Sequence, residues 1–210
     1  FLPQAQLANL WSYAGGMGSS SYIPLLESNE SELVQQNIDR FEKLCKDNNI
    51  NYRVHKDFFD LVLPELKKES RFADLLILGS EVFYENLGYN MPNEYLKDTL
   101  QDMECPVLVV PEKYNFPANI ILSYDGGEES VYAIKQFSYL FPEFANKETI
   151  LVFADDDAGE DFPDKIKIEE LAASHFKNLT LTKLDINPKK YFASWVSERK
   201  SALLVSGSYG

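Results

Sequence analysis

The sequence predicts an α/β chain built from two tandem, open, parallel-sheet domains. Three observations predict it. Short uninterrupted apolar runs alternate with segments of helical periodicity, the pattern of covered strands joined by crossover helices. Glycine closes several of those runs. One strand–helix–strand grammar also occurs twice along the chain.

Taken in order, Leu7–Tyr13 reads as a short buried strand running into a Gly/Ser-rich loop at Gly15–Ser21. Asn29 stands three residues before Glu32, an N-cap signature. Leu33, Val34, Ile38, Phe41, Leu44 and Cys45 then recur at helical spacing and predict an amphipathic helix over 30–46. Asp47-Asn48-Asn49 ends it, and Ile50–Val54 alternates like a strand.

Pro64 lies near the start of a second helix, about 61–71, and Leu75–Leu78 follows as a strand covered on both faces. A third helix follows Pro92, with Leu96, Leu100 and Met103 on one face, and Val107–Val110 is another apolar strand.

After Pro111–Pro117 the pattern restarts. Ile120–Tyr124 is a strand, Asp125-Gly126-Gly127 a turn, and Val131, Ile134, Phe137 and Phe141 mark a helix. Strand Thr149–Phe153, an acidic loop, a helix over 165–177 and strand Leu179–Leu184 follow. Asn187-Pro188 is an N-cap and first-turn pair for the helix bearing Phe192, Trp195 and Val196. Ala202–Val205 is the last strand, and Gly207-Ser208-Tyr209-Gly210 closes the chain.

The repeat pairs Asn49–Ser80 with Asn178–Ser208, so that Arg71 answers Arg199 and Gly79 answers Gly207. A unit this long means two copies of one domain, not a solenoid. The expected division is 1–112 for the first domain, 113–117 for a linker and 118–210 for the second. The first would then lack its opening strand and helix, and the second its closing helix and strand.

Acidic residues outnumber basic ones 33 to 20, a formal net charge of -13. Such a chain repels phosphate backbones and anionic lipid unless it concentrates its basic residues. Lys67-Lys68 and Lys189-Lys190 are isolated pairs, so neither nucleic acid nor membrane is an expected partner. Cys45 and Cys105 stand far apart without metal-ligand spacing and read as small hydrophobes of a reducing, cytoplasmic compartment.

Several motifs together resemble the universal stress protein family. Ala73-Asp74-Leu75-Leu76-Ile77-Leu78-Gly79-Ser80 resembles its fourth strand and glycine turn. Glu104-Cys105-Pro106-Val107-Leu108-Val109-Val110-Pro111 resembles its closing strand, and Ile121-Leu122-Ser123-Tyr124-Asp125-Gly126-Gly127-Glu128-Glu129-Ser130 its opening strand and turn. The likeness runs in order along essentially the whole chain.

The resemblance implies a Rossmann-like fold of the adenine-nucleotide-binding type, with five parallel strands per half and pairing of halves or subunits. That pairing is expected as an internal pseudo-dimer or a homodimer. It also implies, for some members, ATP or another adenine nucleotide, with Mg²⁺, in a crevice outside the carboxyl ends of the strands. The family's phosphate motif is Gly, two residues, Gly, nine residues, Gly, then Ser or Thr. Gly207 and Gly210, with Ser208 between them, match its first part. In the first half Val82 stands where the second glycine belongs, and a branched side chain blocks close backbone approach to phosphate.

Asp125 matches the acid directed at the adenosine moiety, in the turn with Gly126 and Gly127, and Ala154 matches the backbone position beside the adenine. Two readings stand at each position. Asp125 before two glycines is also an ordinary turn and helix cap, and Gly207 and Gly210 are also turn glycines.

No nucleophile elbow or Walker-type sequence is present. Asp155-Asp156-Asp157 with Glu160 and Asp161 lacks the alternating oxygen spacing of a calcium loop. His55 and His175 belong to no recognisable metal-ligand or nucleophile motif, and the aromatic residues Trp11, Tyr13, Tyr22, Phe83, Tyr84 and Tyr89 are assigned to core or interface. The expected function is stress-response regulation through nucleotide binding in the second half, the first half being structural and dimerising, without enzymatic activity. The alternatives are an interaction protein of the same fold that binds no nucleotide, and a slow ATPase.

Overall fold

The computed structural model describes residues 23–55, 62–79, 100–111, 113–157, 159 and 161–207. Two compact units divide the chain, Phe1–Glu65 and Leu66–Gly210, so the expected junction at 113–117 lies inside the second. The expected strand Leu7–Tyr13, the loop Gly15–Ser21 and the aromatic residues named above lie outside the described residues.

Helix α1 spans Ile23–Asp47, seven residues longer at its start than the periodicity predicts. Its end is written locally. Asn49 takes a left-handed φ of 56°, and the N–H groups of Asn49 and Ile50 donate to the carbonyls of Lys46 (3.2 Å) and Cys45 (2.8 Å). These bonds satisfy last-turn carbonyls in the Schellman pattern. Residues 50–55 form no strand, contrary to the alternation, and Ile50 is 58% exposed. Alternation makes a strand only where a neighbouring backbone completes the ladder.

Helix α2, Val62–Ser70, leads to strand β1, Leu76–Gly79, which pairs in parallel with β2, Val107–Val110. Ser70 ties α2 to the approach to β2: its hydroxyl donates to Lys67 O (2.7 Å) and accepts from Glu104 N–H (3.0 Å). The expectation that β1 is covered on both faces is corrected, since Ile77 is 62% exposed. Of the helix expected after Pro92, 100–103 lie among the described residues; 100–102 are helical and Met103 is not.

The remaining elements form a second parallel sheet. They are β3 (Asn119–Ser123), α3 (Glu128–Leu140), a 3₁₀ turn at Pro142–Asn146, β4 (Glu148–Asp155), α4 (Lys165–His175), β5 (Asn178–Asp185), α5 (Pro188–Ser197) and β6 (Ala202–Val205). Strand order is β5-β4-β3-β6, every pair parallel. Ile120, Leu122, Leu151 and Val205 on one face of the sheet join Ile134 and Phe137 of α3 and Ile168 and Ala172 of α4 in a single core. Phe137 anchors an aromatic cluster, with ring centroids 5.4 Å from Phe141, 5.8 Å from Phe144 and 6.1 Å from Phe176. Ile121 and Val152 alternate to the other face and are also buried, and α5 packs against β4. The fold is α/β, with two parallel sheets following one another along the chain.

Candidate functional site

The winding of the second sheet places the site. From β3 the chain moves outward through β4 to β5, then returns to set β6 on the far side of β3. The loops leaving β3 and β6 therefore run apart, and the crevice between their carboxyl ends is where an open parallel sheet receives a ligand.

Asp125, Gly126 and Gly127 form the turn leaving β3. The Asp125 Oδ1 accepts the Gly127 N–H at 2.8 Å, closing an Asx turn that leads into α3 with Gly127 at its N-cap. The reading of Asp125 as a turn residue is thus met, while the N-cap is Gly127 itself and α3 has no side-chain cap. Because Asp125 is exposed and a carboxylate carries two oxygens, an acceptor remains for a further donor. Gly126 takes φ +88°, a conformation open to glycine. A β-carbon there would also meet the Pro163 ring, 2.9 Å from Cβ and 3.0 Å from Cγ.

Gly207 lies two residues beyond β6 and meets the first turn of α3. A β-carbon on it would stand 2.9 Å from Glu129 C and 2.9 Å from Ser130 N. The structure therefore brings Gly207 and the Asp125–Gly127 turn together through α3. The β3–β4 pairing ends at Ser123↔Val152, and Ala154 lies two residues further along β4, paired with Leu184 of β5. Ser208 and Gly210 lie outside the described residues.

The electrostatics of this end are acidic. Glu128 and Glu129 occupy the first turn of α3, where they complement the positive helix end. With Asp125 they favour O–H donors such as sugar hydroxyls over bare phosphate.

The neighbouring acidic loop is bonded to itself. Asp155 Oδ1 accepts Asp157 N–H (2.7 Å), Asp157 Oδ1 accepts Gly159 N–H (2.8 Å), and Asn187 Nδ2 donates to Asp156 Oδ2 (2.9 Å). Asn187 stands at the N-cap of α5 but makes no side-chain cap. The sequence placed it correctly and missed where its amide goes.

Sequence reasoning also missed Tyr124, Phe162 and Pro163. Tyr124 is 4% exposed, and its hydroxyl donates to Pro163 O at 2.9 Å. Burial first, then the nearby Asp164 and Asp125 carboxylates, raises its phenol above the ordinary value. Phe162 is buried against Phe153, centroids 5.6 Å apart. The only local signal was a tyrosine beside Asp125; its partner lies 39 residues away. Among the described residues no cluster of three or more His, Cys, Asp or Glu side chains could hold a metal, and no helix is long and apolar enough to cross a membrane.

No protein-family model matches this chain, and no curated protein matches it. Among solved structures, a universal stress protein from Archaeoglobus fulgidus DSM 4304 is similar, with a TM-score of 0.61 and 17% identity over 90% of this chain and 69% of that one. At that identity the likeness is one of fold.

Proposed function

We propose that the chain is a stress-response regulatory protein that binds an adenine nucleotide of the ATP type, with Mg²⁺, in its second half. The first half then serves structure and dimerisation, and a cytoplasmic setting goes with that role. One observation carries the reading: winding reverses between β3 and β6, and the Asp125–Gly127 turn and Gly207 meet there through the first turn of α3. In this reading Asp125 accepts a ribose hydroxyl, the base lies toward Ala154, and the phosphates lie near Gly207 at the first turn of α3, with Mg²⁺ offsetting the charge of Glu128 and Glu129. The motifs of the opening and closing strands, and the fold likeness to a universal stress protein, support it. Thermal-shift titration with ATP and Mg²⁺ tests it: a ligand at one hundred times its dissociation constant adds about 2.7 kcal/mol. No shift in the full-length protein overturns the reading.

The second reading is an interaction protein that binds no nucleotide. It is favoured by the internal use of the same residues. Asp125 closes a turn, and Gly126 and Gly207 are each required by a packing contact within the chain.

A further inference from the structure

The loop between β4 and α4 folds back over the carboxyl ends of β3 and β4. Phe162 is sunk against Phe153, the Pro163 carbonyl is held by the Tyr124 hydroxyl, and the Pro163 ring sits where only a glycine at 126 leaves room. The next residue is out of place for its role. Asp164 is the N-cap of α4, yet it takes φ 45°, ψ 36° and makes no side-chain cap. An aspartate there ordinarily adopts extended backbone and accepts an N–H of the first turn; left-handed backbone is uncommon outside glycine, though aspartate takes it more readily than most residues. Its carboxylate instead pairs with Lys167 Nζ at 2.7 Å.

We infer that Phe162–Pro163–Asp164 is a latch on the candidate crevice, held shut by the Tyr124 hydroxyl, whose release admits the base of a nucleotide. The inference rests on the nucleotide reading above and adds its regulation. Two arrangements of the segment compete. Shut, it gains the Tyr124 bond and the seat over Gly126, with α4 uncapped by Asp164. Open, it loses both, while Asp164 is free to turn to extended backbone and cap α4. A ligand that needs the open arrangement binds with an apparent affinity reduced by the open fraction.

The test uses Tyr124→Phe, which removes one hydroxyl, and Pro163→Ala, which removes the ring over Gly126. ATP with Mg²⁺ is titrated calorimetrically into the wild type and both variants. Backbone hydrogen exchange across 161–168 is followed without nucleotide. Losing one hydrogen bond from the shut state should tighten ATP binding up to about tenfold, with faster exchange across 161–168 in both variants. Binding in the variants alone supports the latch equally. Equal or weaker binding in both variants, with measurable wild-type binding, overturns the latch and leaves the nucleotide reading standing. No binding by any of the three overturns both.

Discussion

At Gly207 the demand for glycine is one of space. Any side chain would press on the backbone of Glu129 and Ser130 in the first turn of α3, and backbone inside a docked helix yields little. Its counterpart in the repeat, Gly79, has nothing within 4 Å of an added β-carbon. Gly207→Ala should therefore lower stability by about 1–3 kcal/mol, the cost of overpacking. Gly79→Ala should stay within about 0.5 kcal/mol of wild type, as exposed substitutions do. Urea midpoints at constant slope measure both; equal effects would remove the case for close approach at Gly207. Both glycines were legible as the ends of apolar strands. Which one touches a helix was not, because that depends on a turn nearly eighty residues earlier.

At the scale of elements, the arginines matched by the repeat have diverged. Arg71 makes a two-pronged bridge to Glu104, Nε and Nη2 each 2.7 Å from a carboxylate oxygen. It fastens the end of α2 to the segment entering β2. Arg199 instead lies over the Trp195 ring, 3.3 Å from its centroid, and donates to Trp195 O. The Arg71 bridge holds the Glu104 carboxyl below its ordinary value of 4.5. A carboxyl depressed in the folded state contributes stability in full above its unfolded value, and that contribution is lost as pH falls through the folded value. The urea midpoint of Glu104→Gln should thus lie below wild type at pH 7, and the gap should close as pH drops below 4.5. The pair is exposed, so added salt should narrow the gap at pH 7 as well. A gap independent of pH would show that Glu104 acts through packing alone. The helices themselves were legible from local chemistry: α3 begins after Gly127 with two glutamates, and α5 begins at Pro188. The strand expected at 50–54 failed because half of what makes a strand is its neighbour.

At the scale of the whole molecule, a net charge of -13 opposes compaction. The screening length falls from about 30 Å in 0.01 M salt to about 3 Å in 1 M, so sodium chloride across that range should raise the urea midpoint of the intact chain. A midpoint that falls with salt would mean that specific ion pairs outweigh the general repulsion.

The sequence by itself determined the fold class, most of the helices and strands and the turn chemistry at Asp125–Gly127. Each is written in residues a few places apart, through side-chain period, capping and backbone preference. Only the tertiary structure decided that β6 returns beside β3, that Gly207 rests on α3, and that Asn187 reaches Asp156. It also decided that Pro163 closes over Gly126 under the Tyr124 hydroxyl. Those contacts join residues tens of positions apart, and their partners are chosen by how the sheet winds and the loops pack, which no local pattern encodes.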